Sequence, residues 1–289
     1  MSAFVTAIIS GLSDGCLIAI IALGFTICFR AGHALNFAQG TFMVLAGYVA
    51  ISTVAAHNAI LGLLVACIVC AALSGGGYLV AFRRFRSLNP ITITIITMGA
   101  SFVLGALVDL AWHGTIELYN FPGSETSFHL FGRTRITALE IVILVLTPAV
   151  FAAVEGVLRF TRVGIRLRAC SDLPSLAARS GIDVNKHYAV GWGVAGLMAG
   201  LSGALYAATS SVSASLGDVG LAAFPAAVLG GFGNVPGALL GGLALGVSDQ
   251  LIAYYVSAST ATVIPYLLML VVLMIRPTGF FGARQLVRS

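Results

Sequence analysis

Apolar residues come along this chain in long continuous runs separated by short polar stretches. Runs of about 18 apolar residues or more are what a helix needs to cross a hydrocarbon core, whereas a barrel strand needs only about half as many. The pattern therefore predicts an all-α polytopic membrane protein. Spans are expected over residues 4–29, 59–82, 91–112, 138–158, 189–210 and 261–275, with further apolar segments after residue 40 and across 217–246; Pro90 marks a helical start, and Gly196 and Gly200 stand in the G-x-x-x-G spacing of a helix contact. The 219–232 piece is too short, at 1.5 Å per residue, to cross a core of roughly 30 Å, and reads as a re-entrant half-helix. Eight to nine transmembrane or re-entrant segments are predicted, with the parity of crossings left open.

The polar interruptions carry the functional information. The longest, residues 159–187, holds six basic residues and a short helix with its own punctuation. Asp172 is expected as its N-cap and Pro174 in its first turn; Ser175, Ala178 and Arg179 lie in its body, and Gly181 stops it. A plain connection would be far shorter, so a partner is expected to dock there and move the spans. A second interruption, "RAGHALNFAQG" (30–40), leads straight into a new apolar helix. Irregular backbone is not tolerated facing lipid, so this break lies at the interface or faces a cavity. Asn36 and Gln39 there could satisfy freed backbone groups or touch a solute. A third glycine-rich stretch, 217–246, reads as short helices pressed together with a break around "GGFGN".

The two breaks, 30–40 and 230–237, each follow a small-residue span and precede a small-residue helix, which suggests a weak inverted repeat. Broken helices in corresponding positions of two halves point to a transport path, with half-helix termini aiming partial charges at a polar or zwitterionic solute. The candidate path residues are Asn36, Phe37, Gln39, Gly40, Gly230, Gly231, Gly233 and Asn234. The chain reads as one permease domain, 1–289, with a first repeat over about 4–112, an external loop over 113–137, the loop 159–187, a second repeat over 188–275 and a tail over 276–289.

Composition agrees. Of 289 residues 59% are hydrophobic and 9% charged, against roughly 25% charged in soluble domains. Thirteen of the fifteen Lys and Arg residues can share one side of the membrane, leaving Arg133 and Arg135 on the other. The positive-inside rule makes that side cytoplasmic, places the C-terminus inside and favours an external N-terminus. The net charge of +5 is accounted for in this way, without nucleic acid. Cys67 and Cys70 form C-x-x-C, read as packing residues within a span rather than a redox or metal pair. "GLSDG" (11–15) fits G-x-S-x-G but lacks a strand–turn–helix setting, so Gly11 and Gly15 are read as a helix contact. Asp14 either snorkels to the outer interface or lines a polar path. "GLSG" (200–203) shares the G-x-S-G of rhomboid proteases, yet every histidine precedes Ser202 and none is placed to activate it.

Four stretches together resemble a known family: "ALGFTICFRAGHALNFAQGTFMVLAGYVA", "RACSDLPSLAARSGIDVNKH" followed by "GVAGLMAGLSGALYA", "AFPAAVLGGFGNVPGALLGGLALG" and "IRPTGFFG". In this order they are similar to LivH-type permeases of branched-chain amino acid ABC importers. The resemblance implies a bacterial inner-membrane subunit and a second homologous permease, so that the pair is a heterodimer. It also implies two cytoplasmic ATPases and a periplasmic or extracellular solute-binding protein. It makes Asp172 to Gly181 the coupling helix, and puts ATP and Mg on the partner subunits. No cofactor or metal is expected on this chain, which has no G-x-x-x-x-G-K-[ST] loop and is not expected to be an enzyme. The family also includes urea, amide and aromatic-acid importers. A secondary transporter or channel would share broken helices, but would place coupling carboxylates at mid-membrane. Here Asp14, Asp109, Glu140, Glu155 and Asp249 are expected mostly near span ends.

Overall fold

The first apolar run forms a single helix, α1 (Ser2–Gly32), about 46 Å long at 1.5 Å per residue. The computed structural model describes residues 2–54, 58–82, 89–116, 121, 126–130, 134–213 and 215–282. After a non-helical stretch, 33–38, come α2 (Gln39–Val54), α3 (Ala59–Gly77) running into a π-helical turn (Tyr78–Phe82), and α4 (Pro90–Trp112). Pro90 opens α4 as expected, behind an Asn89 cap. A two-stranded antiparallel hairpin, β1 (Ser127–Leu130) and β2 (Thr134–Thr137), pairs Ser127 with Thr137 and leads into α5 (Ala138–Phe160). The hairpin was not foreseen in the predicted loop. At its end Thr137 and Glu140 form a capping box, so Glu140 has a structural partner. Then follow α6 (Arg162–Asp172), α7 (Pro174–Arg179), α8 (Val184–Thr209), α9 (Leu216–Gly230), α10 (Val235–Tyr255), α11 (Ala258–Ala261) and α12 (Ile264–Ile275).

Among the described residues six helices are long and apolar enough to cross a membrane: α1, α3, α4, α5, α8 and α10. The shorter α2, α9 and α12 complete the set within the predicted eight to nine. Arg30, α6, α7 and Arg276 gather at one end of the bundle, the basic end. Arg83, Arg84, Arg86, Arg133, Arg284 and Arg288 lie outside the described residues.

Small residues set the packing. The most extensive helix pairs are α1 with α10 and α3 with α8. A Cβ built on Gly246 would collide with the backbone of Gly15, and one on Gly242 would meet Ala19 at 2.5 Å. On the other pair, Gly196 lies against the Cys70 carbonyl and a Cβ on Gly200 would meet Cys67 Cα at 2.8 Å. Apolar side chains gain little by leaving lipid for a helix interface, so close backbone approach supplies the dispersion energy that holds these pairs. The helix-contact readings of Gly11 with Gly15 and of Gly196 with Gly200 hold. Cys67 and Cys70 are buried free thiols in this packing, and Ser202 donates to the Leu17 carbonyl at 3.0 Å.

An inverted repeat is present, in a register different from the expected one. α1 corresponds to α8, α2 to α9, α3 to α10 and α4 to α12, which makes the α1–α10 and α3–α8 pairs equivalents of each other. The stretch matching 33–38 is therefore 210–215, not 230–237. Both α2 and α9 start at mid-depth: Gln39 bonds the Ala195 carbonyl, near the middle of α8, and Gly40 packs on Gly217. From there α2 runs toward the opposite end and α9 toward the basic end. Gly246→Leu should lower the unfolding temperature in detergent by a change of about 3 kcal/mol or more, because backbone must move. Gly99→Leu, with nothing within 4 Å of its Cβ position, should leave it nearly unchanged.

Candidate translocation site and coupling surface

The mid-depth meeting of two helix N-termini is made by residues with little or no side chain. Gly40, Gly217 and Gly220 let the first turns of α2 and α9 touch backbone to backbone. The cost is non-helical backbone on either side, and α4 relieves it. Thr97, 2% exposed, accepts from the Phe37 N–H at 3.1 Å and hydrogen-bonds the Leu35 carbonyl at 3.3 Å; Thr94 accepts from the Leu35 N–H at 3.4 Å. Asn36 Oδ1 accepts from the Ala38 N–H at 3.1 Å, and Gln39 Nε2 donates to the Ala195 carbonyl at 2.7 Å across Gly24, which leaves no room for a larger residue there. Asn36 thus satisfies a freed backbone group, one of the two roles expected of it, whereas Gln39 ties the start of α2 to a carbonyl inside the unbroken helix α8. The threonine spacing on α4 was legible in the sequence only as composition.

Two cavities reach this point from the α9 side, and a third continues from them toward the hairpin. One of about 390 Å³ lies between α2, α4 and α9, lined by Phe37, Thr41, Ser101, Asp109, Gly217 and Asp218 among others. A second, about 310 Å³, holds Asp14, Tyr206, Asp218, Asp249 and Gln250, and a third, about 240 Å³, holds Asp14 and Glu140. Asp218 borders the first two and Asp14 the last two, so carboxylates link the series. Asp14 accepts from Gln250 Nε2 of α10 at 2.6 Å. Glu140, in the first turn of α5, and Asp109, in the last turn of α4, stand near helix ends as expected, whereas Asp14 and Asp249 meet Asp218 in the second cavity.

Of the remaining path candidates, Phe37 lines the 390 Å³ cavity, and Gly40 packs against Gly217 of its wall. Gly230, Gly231, Gly233 and Asn234 instead form the α9–α10 turn at the basic end. Gly231 (φ 87°) and Gly233 (φ 83°) adopt left-handed backbone, and the tail clasps the turn: Phe280 N–H donates to the Leu229 carbonyl and Asn234 Nδ2 to the Phe281 carbonyl, both at 2.9 Å. A row of rings connects the turn to the cavity, with Phe29–Phe232 centroids at 4.8 Å, Phe232–Phe224 at 5.7 Å and Phe224–Phe37 at 5.5 Å.

At the basic end two helices, not one, fill the long polar segment. Thr161 ends α5 and caps α6 by accepting from the Gly164 N–H at 3.3 Å, and a Cβ at Gly164 would strike the Leu158 backbone. Asp172 is the last residue of α6, not the cap of α7. That cap is Leu173, which makes no side-chain bond, because α6 continues through the residues assigned to a loop. Pro174 opens α7 as expected. Gly181 (φ 80°) ends it in a Schellman motif, with Ile182 N–H to the Ala177 carbonyl and Gly181 N–H to the Ala178 carbonyl, both 3.1 Å. Ala177 packs with Cys170 and Val184. Ser175, Ala178 and Arg179 are exposed, as are Leu173 and Leu176 at 57% and 55%. Asp183 caps α8, and the Lys186 N–H holds its carboxyl below the usual carboxylate range. Its contribution is therefore complete above the ordinary value of 3.8 and is lost only as pH falls through the lowered one.

Over residues 7–273 the chain matches the family described as branched-chain amino acid transport system / permease component, and it belongs to that family. It is 29% identical to the high-affinity branched-chain amino acid transport system permease protein LivH of Salmonella typhimurium, over 96% of each chain. It is 28% identical to the probable branched-chain amino acid transport permease protein LivH of Methanocaldococcus jannaschii, over 92% of this chain and 89% of that one. The solved structure of PsaBC from Streptococcus pneumoniae in complex with Fab aligns over 96% of this chain and 91% of that one, with 16% identity and a TM-score of 0.45, too distant to add to the assignment. The resemblance drawn from the four motifs is borne out.

Thr97→Val should unmake the bonds to Phe37 and Leu35 while preserving shape. Thermal unfolding should report a loss of about 1–3 kcal/mol, and thiol labelling at position 41 should change as the start of α2 loosens.

Proposed function

We propose that this chain is a permease subunit of an ATP-binding-cassette importer that moves branched-chain or closely related amino acids into the cytoplasm. It works with a second, homologous permease, two cytoplasmic ATPases that hold ATP and Mg, and an extracytoplasmic solute-binding protein. Family membership over residues 7–273 supports the importer reading. The observation that carries the coupling role is α7, a helix of six residues stopped by its own Schellman motif at the basic end, with Leu173 and Leu176 uncovered. Apolar side chains fixed on a capped element outside the membrane spans are what a partner's cleft would take up. By the positive-inside rule the basic end faces the cytoplasm, which puts α7 and the tail on the ATPase side of a bacterial inner membrane.

The solute passes the α2–α9 junction in this scheme. Two half-helix N-termini there present partial positive charge to a carboxylate, and the linked carboxylates offer partners to an ammonium group. No side chain of this subunit has to do chemistry.

Leu176→Asp should abolish co-purification of the ATPases and ATP-driven uptake while the chain stays inserted and monodisperse. Gly181→Val should retain some ATPase binding but lose solute-stimulated hydrolysis, since a β-branched residue at φ 80° dissolves the stop of α7. Normal stimulated ATPase activity and uptake in both variants would remove α7 from the coupling route.

A further inference from the structure

We propose that a small pocket on the other side of the 33–38 segment, floored by Asn36, binds the solute by its carboxylate and its branched aliphatic side chain. This rests on the amino-acid permease reading and gives the permease a selectivity of its own. The pocket has a volume of about 120 Å³ and lies where the start of α2, the α3–π-helical junction, α4 and α8 meet. Its walls include Phe42, Leu73, Ile96 and Trp192. Asn36 is 2% exposed, and its Oδ1 is committed to the Ala38 N–H, which fixes the orientation of the amide. Its Nδ2 then has no partner. A buried amide donor in an apolar pocket calls for an acceptor, since leaving it unpaired costs its desolvation.

Size and lining narrow the ligand. The enclosed space is that of about four waters at roughly 30 Å³ each, less than a whole amino acid, so part of the solute lies at the open rim, where Leu73, Ile96 and Ala100 are exposed; a three- or four-carbon branched chain suits this space and an aromatic side chain does not. A charged or amide side chain would leave polar groups unpaired among apolar walls. A carboxylate oxygen meets the Asn36 donor, and the Trp192 and Tyr78 rings, 5.4 Å apart, give an ammonium group a π-face. The end of a lipid acyl chain would fit the walls but offers Asn36 no acceptor, which favours the amino acid. The π-helical turn beginning at Tyr78 belongs to the same wall, and such turns are frequent at functional sites.

The test is equilibrium binding of labelled leucine to the nucleotide-free complex purified from native membranes into nanodiscs. Two variants accompany the native protein. Asn36→Ser keeps an acceptor for the Ala38 N–H but loses the amide donor, and Ala100→Phe fills the pocket from an exposed position on its rim. Both should weaken leucine binding about tenfold or more, and isoleucine and valine should compete where phenylalanine and aspartate do not. Unchanged affinity in both variants would overturn the proposal, as would absence of leucine binding to the native complex. A phospholipid detected by native mass spectrometry and displaced by Ala100→Phe, with leucine binding unaltered, would reassign the pocket to lipid. ATP-driven uptake in proteoliposomes separates the two claims. Leucine uptake that neither variant alters sinks the pocket alone. Binding that the variants weaken, in a complex showing no ATP-driven uptake, sinks the importer reading alone.

Discussion

Backbone amides and carbonyls inside a membrane need partners within the protein, and that requirement shapes the centre of this molecule. Two helices, α2 and α9, begin at mid-depth instead of at a surface, so each leaves irregular backbone inside the bundle. For α2 the described partners are Thr94 and Thr97 from α4 and the Asn36 side chain, and Gln39 ties the helix start to α8. Glycines at 40, 217 and 220 then let the two helix starts touch. Without the threonines the bend would be too costly to hold. Without the glycines the two starts could not meet, and the cavities around them would have different walls.

From that junction α9 runs to the basic end, where its turn into α10 is clasped by the tail and joined through Phe232, Phe224 and Phe37 to the cavity between α2, α4 and α9. The same end holds α6 and α7. There α6 packs on α1, α5 and α8 and α7 on α6 and α8, while α9, one helix of 15 residues, joins the turn to the mid-depth junction. The α1–α10 and α3–α8 pairs, sealed by glycines, form the rigid frame beside it. The inverted repeat explains why there are two such pairs and why the half-helices point in opposite directions.

Much of this was legible in the sequence because lipid makes the rules strict. Span lengths, the Pro90 start, the Gly11–Gly15 and Gly196–Gly200 contacts and the Gly181 stop each follow from a local cause, and each holds. What escaped depended on partners distant in sequence. Thr94 and Thr97 are ordinary residues until the 33–38 segment lies beside them. Asp14 and Asp249 looked peripheral because distance along a helix was counted from its own ends, while the junction sits at a depth set by α2 and α9. Asp172 reads as a cap in the sequence because α6, polar on most of its surface, does not look like a helix in a chain where helices are apolar. Glycine content pairs 230–237 with 30–40, whereas helix direction pairs the stretch between α8 and α9 with 33–38.

The central claim is that the α2–α9 junction lies on the solute path, and cysteine accessibility tests it most directly. Thr41→Cys and Asp218→Cys can be probed with a membrane-impermeant thiol reagent added to either side of the membrane, in nucleotide-free and ATP-bound states. The native cysteines are buried, which keeps the background low. The account predicts labelling at both positions, from one side in one state and from the other side in the other state. Positions that react from neither side in any state would contradict it and place the path elsewhere.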